Sequence, residues 1–400
     1  MHDSERNRRA GGVSPRITRR KVDSICTCKL ALCIRGLTPP ARPKSSEVGT
    51  SRNHTRPLSR LFAEDLQHVL AHTRELWEPL RGRRLFLTGG TGFFGTWLVE
   101  SFLWINGQLD LGARLLVLSR DPQRFARKAP HLAADPALSL VQGNVTDFLF
   151  PGGEFSHVIH AATEACDPAG VDRLAVLDRD VRGTRRVLDF ARHCGARRFL
   201  LTSSGAVYGR QPPELSHVAE DYPGAPDTMN PDSGYGHGKR MSELLCALYA
   251  RAYGLETTIA RCFAFAGPHL PLDANFAIGN FLRDALHGGP ITIQGDGTPL
   301  RSYLYAADLA VWLWTILLKG TPCRPYNVGS DAALSIADLA RTVAEVVAPE
   351  AEIRLLQSPQ PNRPAERYVP SIERARGELR LEPWISLKDS IGRTAHWHRL

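Results

Sequence analysis

In the stretch SGYGHGKR (233–240) a tyrosine stands four residues ahead of a lysine, among small residues and at the head of a long helical pattern. Positions i and i+4 of a helix share a face, so Tyr235 and Lys239 are placed to act together. An ammonium beside a phenol stabilises the phenolate and draws its pKa down from about 10. A phenol tuned in this way exchanges a proton with an alcohol while a hydride leaves the same carbon. By itself such a pair arises by chance in most long chains, and its meaning rests on two further motifs.

The first is LFLTGGTGFFGTWLVE, where Gly89, Gly92 and Gly95 recur at three-residue spacing between a strand pattern and a helix pattern. There the first glycine permits a tight turn, the second lets the backbone approach a pyrophosphate, and the third lets helix and strand pack closely. The anion sits on the free N–H groups of the helix start. The second motif, TSSGAVYG (202–209), ends a strand in hydroxyls. At the C-terminal edge of a parallel sheet a serine faces the crevice and donates a hydrogen bond to a substrate oxygen. At the end of the second strand, LVLSRDP places Ser119 and Arg120 before Asp121. Arg120 suits the 2′-phosphate of NADP, whereas Asp121 suits the ribose hydroxyls of NAD. Both cofactors stay open.

The elements that must carry these residues alternate. Strand patterns at 83–90, 113–121, 139–144, 157–163, 197–204 and 257–265 interleave with helix patterns at 96–105, 181–194 and 238–254, after an amphipathic helix at 61–77. Such alternation implies a doubly wound parallel α/β sheet, a Rossmann arrangement over 61–265. From 266 to 400 proline and glycine become dense and the elements short, as expected of a smaller C-terminal substrate lobe interleaved with the first. There ALSIADLARTVAEVV (333–347) reads as a helix with Ser335 as its N-cap, and LAVWLWTILL (309–318) as a buried helix.

Bulk composition narrows the classes. The chain of 400 residues is 43% hydrophobic, and no apolar run reaches the roughly 18 residues of a membrane span. The net charge of +9 belongs to the N-terminus: residues 1–60 carry 14 lysines and arginines against 4 acids, and the remaining 340 carry 36 against 37. The balanced body offers no basic face for nucleic acid. Residues 1–60 read as a disordered basic extension; an organelle-targeting reading is also open. Cys26, Cys28 and Cys33 have no fourth ligand at a sensible distance, so no metal site is expected. The cysteines at 166, 194, 246, 262 and 323 fall in apolar patterns, as buried thiols of a cytoplasmic protein would.

Taken in order, TGGTGFFG, HAAT, TSSGAVYG, YGHGK and GDGTPLRSYLYAADLA make the chain, over roughly residues 83–398, resemble the extended short-chain dehydrogenase/reductases, the nucleotide-sugar epimerases and dehydratases. The resemblance implies a Rossmann sheet holding NAD or NADP, a smaller lobe holding a nucleoside diphosphate sugar, and a homodimer. It implies that Gly89, Gly92, Phe94 and Gly95 line the dinucleotide turn and that Asn144 and Val145 flank the adenine. It also implies that Ala161, Ala162 and Thr163 line the cofactor crevice. Ser204 and Tyr235 become the catalytic pair, Lys239 also holds the nicotinamide ribose, and Asn275 and Arg301 meet the phosphates. A guanidinium suits a pyrophosphate because its fork binds two oxygens.

The departures from the family pattern bear on function. Dehydratases and decarboxylases of the family carry an acidic residue two places before the Tyr-Gly of the serine strand, and dehydratases usually two adjacent ones. Here Gly205 and Ala206 stand there, and neither moves a proton. Glu164 is the nearby carboxylate in the sequence. Ala264 and Asp180 each replace a customary Asn. The expected activity is a 4-epimerase or 4-ketosugar reductase. The alternatives are a 4,6-dehydratase using Glu164 or a second-lobe residue, and a non-enzymatic module that senses NADP.

Overall fold

The alternating pattern closes into seven parallel strands in a computed structural model that describes residues 60–163, 172–360 and 364–400. The expectations for residues 1–59, for Cys166 and for Glu164 lie outside the described residues. Six strands follow in chain order: β1 (Arg84–Thr88), β2 (Arg114–Ser119), β3 (Leu138–Gln142), β4 (His157–His160), β5 (Arg198–Ser204) and β6 (Glu256–Cys262). An edge strand, Pro325–Val328, comes from the C-terminal part of the chain. The spatial order is Pro325–Val328, β6, β5, β4, β1, β2, β3. The order reverses between β1 and β4, which makes a crevice at the carboxyl ends of the strands.

Helices cover both faces. In chain order they are α1 (Arg60–Thr73), α2 (Phe93–Gln108), α3 (Pro122–Lys128), α4 (Pro130–Ala133), α5 (Arg173–His193), α6 (Gly234–Tyr253), α7 (Ala277–Leu286), α8 (Ala306–Lys319), α9 (Ile336–Val347), α10 (Glu373–Leu379) and α11 (Leu387–Arg399). Strand β1 shows how the layers are made. Leu85 and Leu87 pack into the core shared with α1, α2 and α8, while Phe86 packs among Phe148, Phe155 and Phe190 on the α5 side. Helix α8 is apolar all round because it is buried all round, with Trp312 and Trp314 fully enclosed. Helix α5 starts at Arg173, eight residues before the periodicity suggests, because the Asp172 carboxylate caps the amides of Leu174 and Ala175. Ser335 caps α9 through the amide of Asp338 at 3.0 Å.

Beyond β6, helices α7, α9 and α11 enclose a separate apolar core. Short strands tie this part together. Ile291–Ile293 pairs with Ile353–Leu355, and Leu300–Arg301 lies between Leu334–Ser335 and Arg367–Tyr368. Free thiols at Cys194, Cys246 and Cys262 are buried as expected. Cys323 is not: it sits exposed in a turn with φ of 56°, where the chain enters the edge strand. Among the described residues no helix is long and apolar enough to cross a membrane.

Three histidines, His157 and His160 buried and His269 mostly so, are held in neutral form. Burial, aided by Arg198, Arg197 and Arg83, pushes His157 down to about 4. Burial and the Lys239 charge push His160 down to about 3, and burial does the same to His269. Unfolded histidine titrates near 6.5. The unfolded chain therefore binds more protons below that pH, and stability falls as pH drops from about 6.5 toward 4, by up to ~1.4 kcal/mol per pH unit for each group. The buried carboxyls of Asp65 and Glu220, held above the usual range by burial, act in the opposite sense. A melting temperature lower at pH 5 than at pH 7, with a smaller drop in His157→Gln, is the expected result. An equal drop in both proteins would remove His157 from the account.

Candidate active site

Helix α6 begins at Gly234, so Tyr235 and Lys239 both lie in its first turns, beside the carboxyl end of β5. Lys239 is 2% exposed, and its ammonium donates to the Thr202 carbonyl at 3.2 Å. The ammonium lies 5.8 Å from the centroid of the Tyr235 ring. Ser204 ends β5, and its hydroxyl accepts the Ala206 amide at 3.1 Å. The three residues thus converge at one point of the sheet edge.

Their electrostatics differ from the expectation of a lowered phenol. Burial pushes the Tyr235 phenol well above its ordinary range, with the Ser204 hydroxyl acting the other way. Burial likewise pushes the Lys239 ammonium down, opposed first by the charge of Asp180. Four-residue spacing shows that two groups share a face, but not how much water they lose. Here desolvation is the largest cause for both groups.

The glycine turn fits a dinucleotide phosphate. Gly89 has φ of 75°, and a side chain on it would overlap the Ala161 carbonyl. One on Gly95 would overlap the backbone of Gly89, so these two glycines permit close packing. A Cβ on Gly92 would meet only the Gly89 carbonyl oxygen, at 3.5 Å, which leaves an open side at the amino end of α2. Phe94 packs edge-on against Phe265 at 4.9 Å. Ala161 and Ala162 donate their amides to the carbonyl and hydroxyl of Thr88, and Thr163 donates to Asp180 at 3.3 Å. Val145 packs into the α5-side core, and the exposed Asn144 fixes its own turn through the Thr146 amide. At the end of β2, the Ser119 hydroxyl accepts the Asp121 amide at 3.2 Å, while the Asp121 carboxylate caps α3 through the Arg124 amide at 2.8 Å. One oxygen of Asp121 is thus engaged by the helix start, and Arg120 beside it is exposed.

Behind the site runs a buried polar chain. His160 contacts the Thr88 hydroxyl at 2.7 Å and the Thr184 hydroxyl at 3.2 Å, and Thr184 donates to Ser242 at 2.9 Å. This links the residue before the glycine turn to α6, one turn beyond Lys239. Tyr208 belongs to a second network. It donates to Asn327 at 2.7 Å and accepts from Arg261 at 2.9 Å, and Arg261 pairs with Glu243 at 2.7 Å.

Asn275 and Arg301 are not together. Asn275 lines a cavity of about 710 Å³ with Asn280, Arg283, Asp284, Thr292 and Gln294, and Ser204, Tyr235 and Lys239 are not in its walls. Arg301 sits next to Tyr368, its guanidinium 5.9 Å from that ring's centroid. Tyr368 itself reaches to 3.4 Å from the Ser204 hydroxyl, and its ring lies against Phe263 at 4.6 Å. Nothing in the sequence pattern marks Tyr368 or Phe263, because Tyr368 arrives on a two-residue strand 164 positions from Ser204. Among the described residues no cluster of three or more metal-ligating side chains is formed.

A sheet reversing beside a glycine turn, with a tyrosine, a lysine and a serine gathered at its edge, is the arrangement of a doubly wound dinucleotide-binding fold. The chain belongs to the NAD dependent epimerase/dehydratase family, whose model matches residues 85–329. Of its curated relatives, UDP-glucuronic acid decarboxylase 6 of Arabidopsis thaliana is 31% identical over 313 residues, spanning 77% of this chain and 86% of its own length. UDP-glucuronic acid decarboxylase 1 of Xenopus tropicalis is 29% identical over 318 residues, spanning 79% and 72%. A dTDP-glucose 4,6-dehydratase from Streptomyces venezuelae, crystallised with NAD and TYD, matches with a TM-score of 0.67 at 27% identity, covering 79% of this chain and 97% of that one. The UDP-glucose 4-epimerase of Thermotoga maritima shares the fold, with a TM-score of 0.66 at 20% identity over 79% of this chain and 98% of its own. Family membership places the chain among enzymes, and the sensor alternative falls away.

Proposed function

We propose that this protein oxidises C4 of a nucleoside diphosphate sugar and returns the hydride, as a 4-epimerase, or runs the return step alone as a 4-ketosugar reductase. The observation that carries this reading is the convergence of Ser204, Tyr235 and Lys239 where Gly205 and Ala206 leave the serine strand without a carboxylate. Tyr235 takes the proton of the C4 hydroxyl and gives it back, and Ser204 holds that oxygen throughout. Lys239 holds the nicotinamide ribose and Tyr235 in place. Gly89, Gly92, Phe94 and Gly95 seat the pyrophosphate, Asn144 and Val145 flank the adenine, and Ala161, Ala162 and Thr163 border the nicotinamide side. The dinucleotide, when bound, supplies the hydride acceptor. NAD is the family's cofactor, and Arg120 extends the choice to NADP. Arg301 binds the sugar nucleotide's phosphates, and Asn275, in a cavity without Ser204, Tyr235 or Lys239 in its walls, is not assigned to them.

Residues 61–265 serve as the dinucleotide domain and residues 266–400 as the sugar-nucleotide lobe, with an interleaved boundary, since α8 and the edge strand Pro325–Val328 return to the main sheet. A homodimer, formed through α6, is part of the same reading. Met241, Leu244 and Leu248 recur on one face of that helix and are 44%, 51% and 52% exposed. The buried free thiols suit the reducing cytoplasm.

Decarboxylation is the second reading, favoured by the names of the curated relatives. A ketone at C4 of a uronate lies β to the carboxylate, and such acids lose CO2 without a further catalytic acid. A 4,6-dehydratase would require Glu164 or a second-lobe residue for the proton at C5. Incubation with UDP-glucose, UDP-galactose, dTDP-glucose and UDP-glucuronic acid, with NMR of the products, separates the three. The expected result is inversion at C4 of UDP-glucose or UDP-galactose; the reductase form would instead oxidise added NADPH when given a nucleoside diphosphate 4-keto sugar. Loss of CO2 from UDP-glucuronic acid alone would replace the proposal by the second reading, and loss of water from dTDP-glucose would replace both. A native mass spectrum of the same sample identifies the dinucleotide and the number of copies.

A further inference from the structure

Ser204 has a phenol on each side. Tyr235 comes from α6, and Tyr368 comes from the C-terminal part of the chain, on a strand in register with Arg301. The hydroxyl of Tyr368 is 3.4 Å from the Ser204 hydroxyl and 3.5 Å from the Cys262 carbonyl. Good O–H···O bonds run at about 2.5–3.0 Å, so the phenol's proton has no short acceptor in either direction. The ring, by contrast, is firmly held. Phe263 packs on it at 4.6 Å, and a Cβ on Gly205 would stand 2.8 Å from its hydroxyl and 2.7 Å from the Phe263 ring. The glycine thus leaves the space that the phenol fills. Burial holds this phenol up at about 12, so its proton stays in place and can be donated.

We infer that Tyr368 donates a hydrogen bond to a sugar oxygen of the bound sugar nucleotide and, with Phe263, forms the floor on which an uncharged pyranose ring rests. It is a substrate-positioning residue, and the inference rests on the C4 hydride-transfer reading above. Its position beside Arg301 means that one strand pair sets both the phosphate contact and the sugar contact.

Tyr368→Phe keeps the ring and removes only the hydroxyl. With the protein loaded with its dinucleotide, calorimetry measures UDP and UDP-glucose, and turnover is followed in parallel with Tyr235→Phe. A lost hydrogen bond predicts UDP-glucose affinity weaker by about tenfold, UDP affinity within twofold of wild type, and a fall of about ten- to a hundredfold in kcat/KM. Tyr368→Leu, which also removes the floor, should weaken UDP-glucose further while leaving UDP unchanged. Equal losses for UDP and UDP-glucose would show a structural role and overturn the inference, as would no loss for either. The two readings fail separately. Normal turnover in Tyr235→Phe would end the hydride-transfer mechanism, whereas a selective loss of UDP-glucose binding in Tyr368→Phe would still place the phenol on the sugar.

Discussion

Tyr235→Phe is expected to lower turnover by about a thousandfold while the protein still binds dinucleotide and sugar nucleotide. General acid–base catalysis by a positioned side chain contributes roughly 10²–10⁴-fold, and in the proposed reaction the Tyr235 phenol passes the proton to and from the C4 oxygen. The phenyl ring of the variant fills the same space beside Lys239, so the change is confined to the proton. Because burial holds the phenol above its ordinary range, wild-type oxidation should also quicken as pH rises through the neutral region. That rise should vanish in the variant. Steady-state rates across pH, together with calorimetric titration of UDP, make the check. A variant that binds normally and turns over within tenfold of wild type would remove Tyr235 from the mechanism.

The largest effect on stability is expected from Arg261→Ala. The Arg261 and Glu243 side chains are 14% and 12% exposed and pair at 2.7 Å. Arg261 also donates to Tyr208 and to the Glu220 carbonyl, and Ser203 donates to Glu243 at 2.6 Å. Deleting the guanidinium leaves a partly enclosed carboxylate against a hydroxyl alone, which costs about 3–5 kcal/mol. For a body of this size the melting temperature should fall on the order of 5 °C. Replacing both partners, as Arg261→Met with Glu243→Leu, removes the stranded charge and should restore most of the loss. Thermal unfolding of wild type and the two variants is the measurement. An unchanged single variant would show that water reaches Glu243 and compensates it.

Much of the architecture was legible because its signals are local. Gly89, Gly92 and Gly95 lie within seven residues spanning the end of β1 to the first turn of α2, Tyr235 and Lys239 within one helix, and Ser204 at the end of one strand. Each motif reports its own element, and the alternation of elements reports the sheet. Tyr368 and Phe263 were not legible, since their meeting with Ser204 depends on the pairing of Arg367–Tyr368 with Leu300–Arg301. The electrostatic expectation for Tyr235 failed for a related reason. Spacing encodes direction around a helix, whereas solvation depends on everything packed over it. Cys323 shows the same limit: an apolar neighbourhood in the sequence did not disclose the turn that exposes it.

The buried polar chain from Thr88 through His160 and Thr184 to Ser242 has a bearing on how such a protein can be re-engineered. The glycine turn and the helix bearing Tyr235 share one neutral imidazole as their common strut. Transplanting the nucleotide loop from a cousin with a different hydroxyl pattern would strand that imidazole in a dry interior, so a viable graft must carry the strut along with the loop.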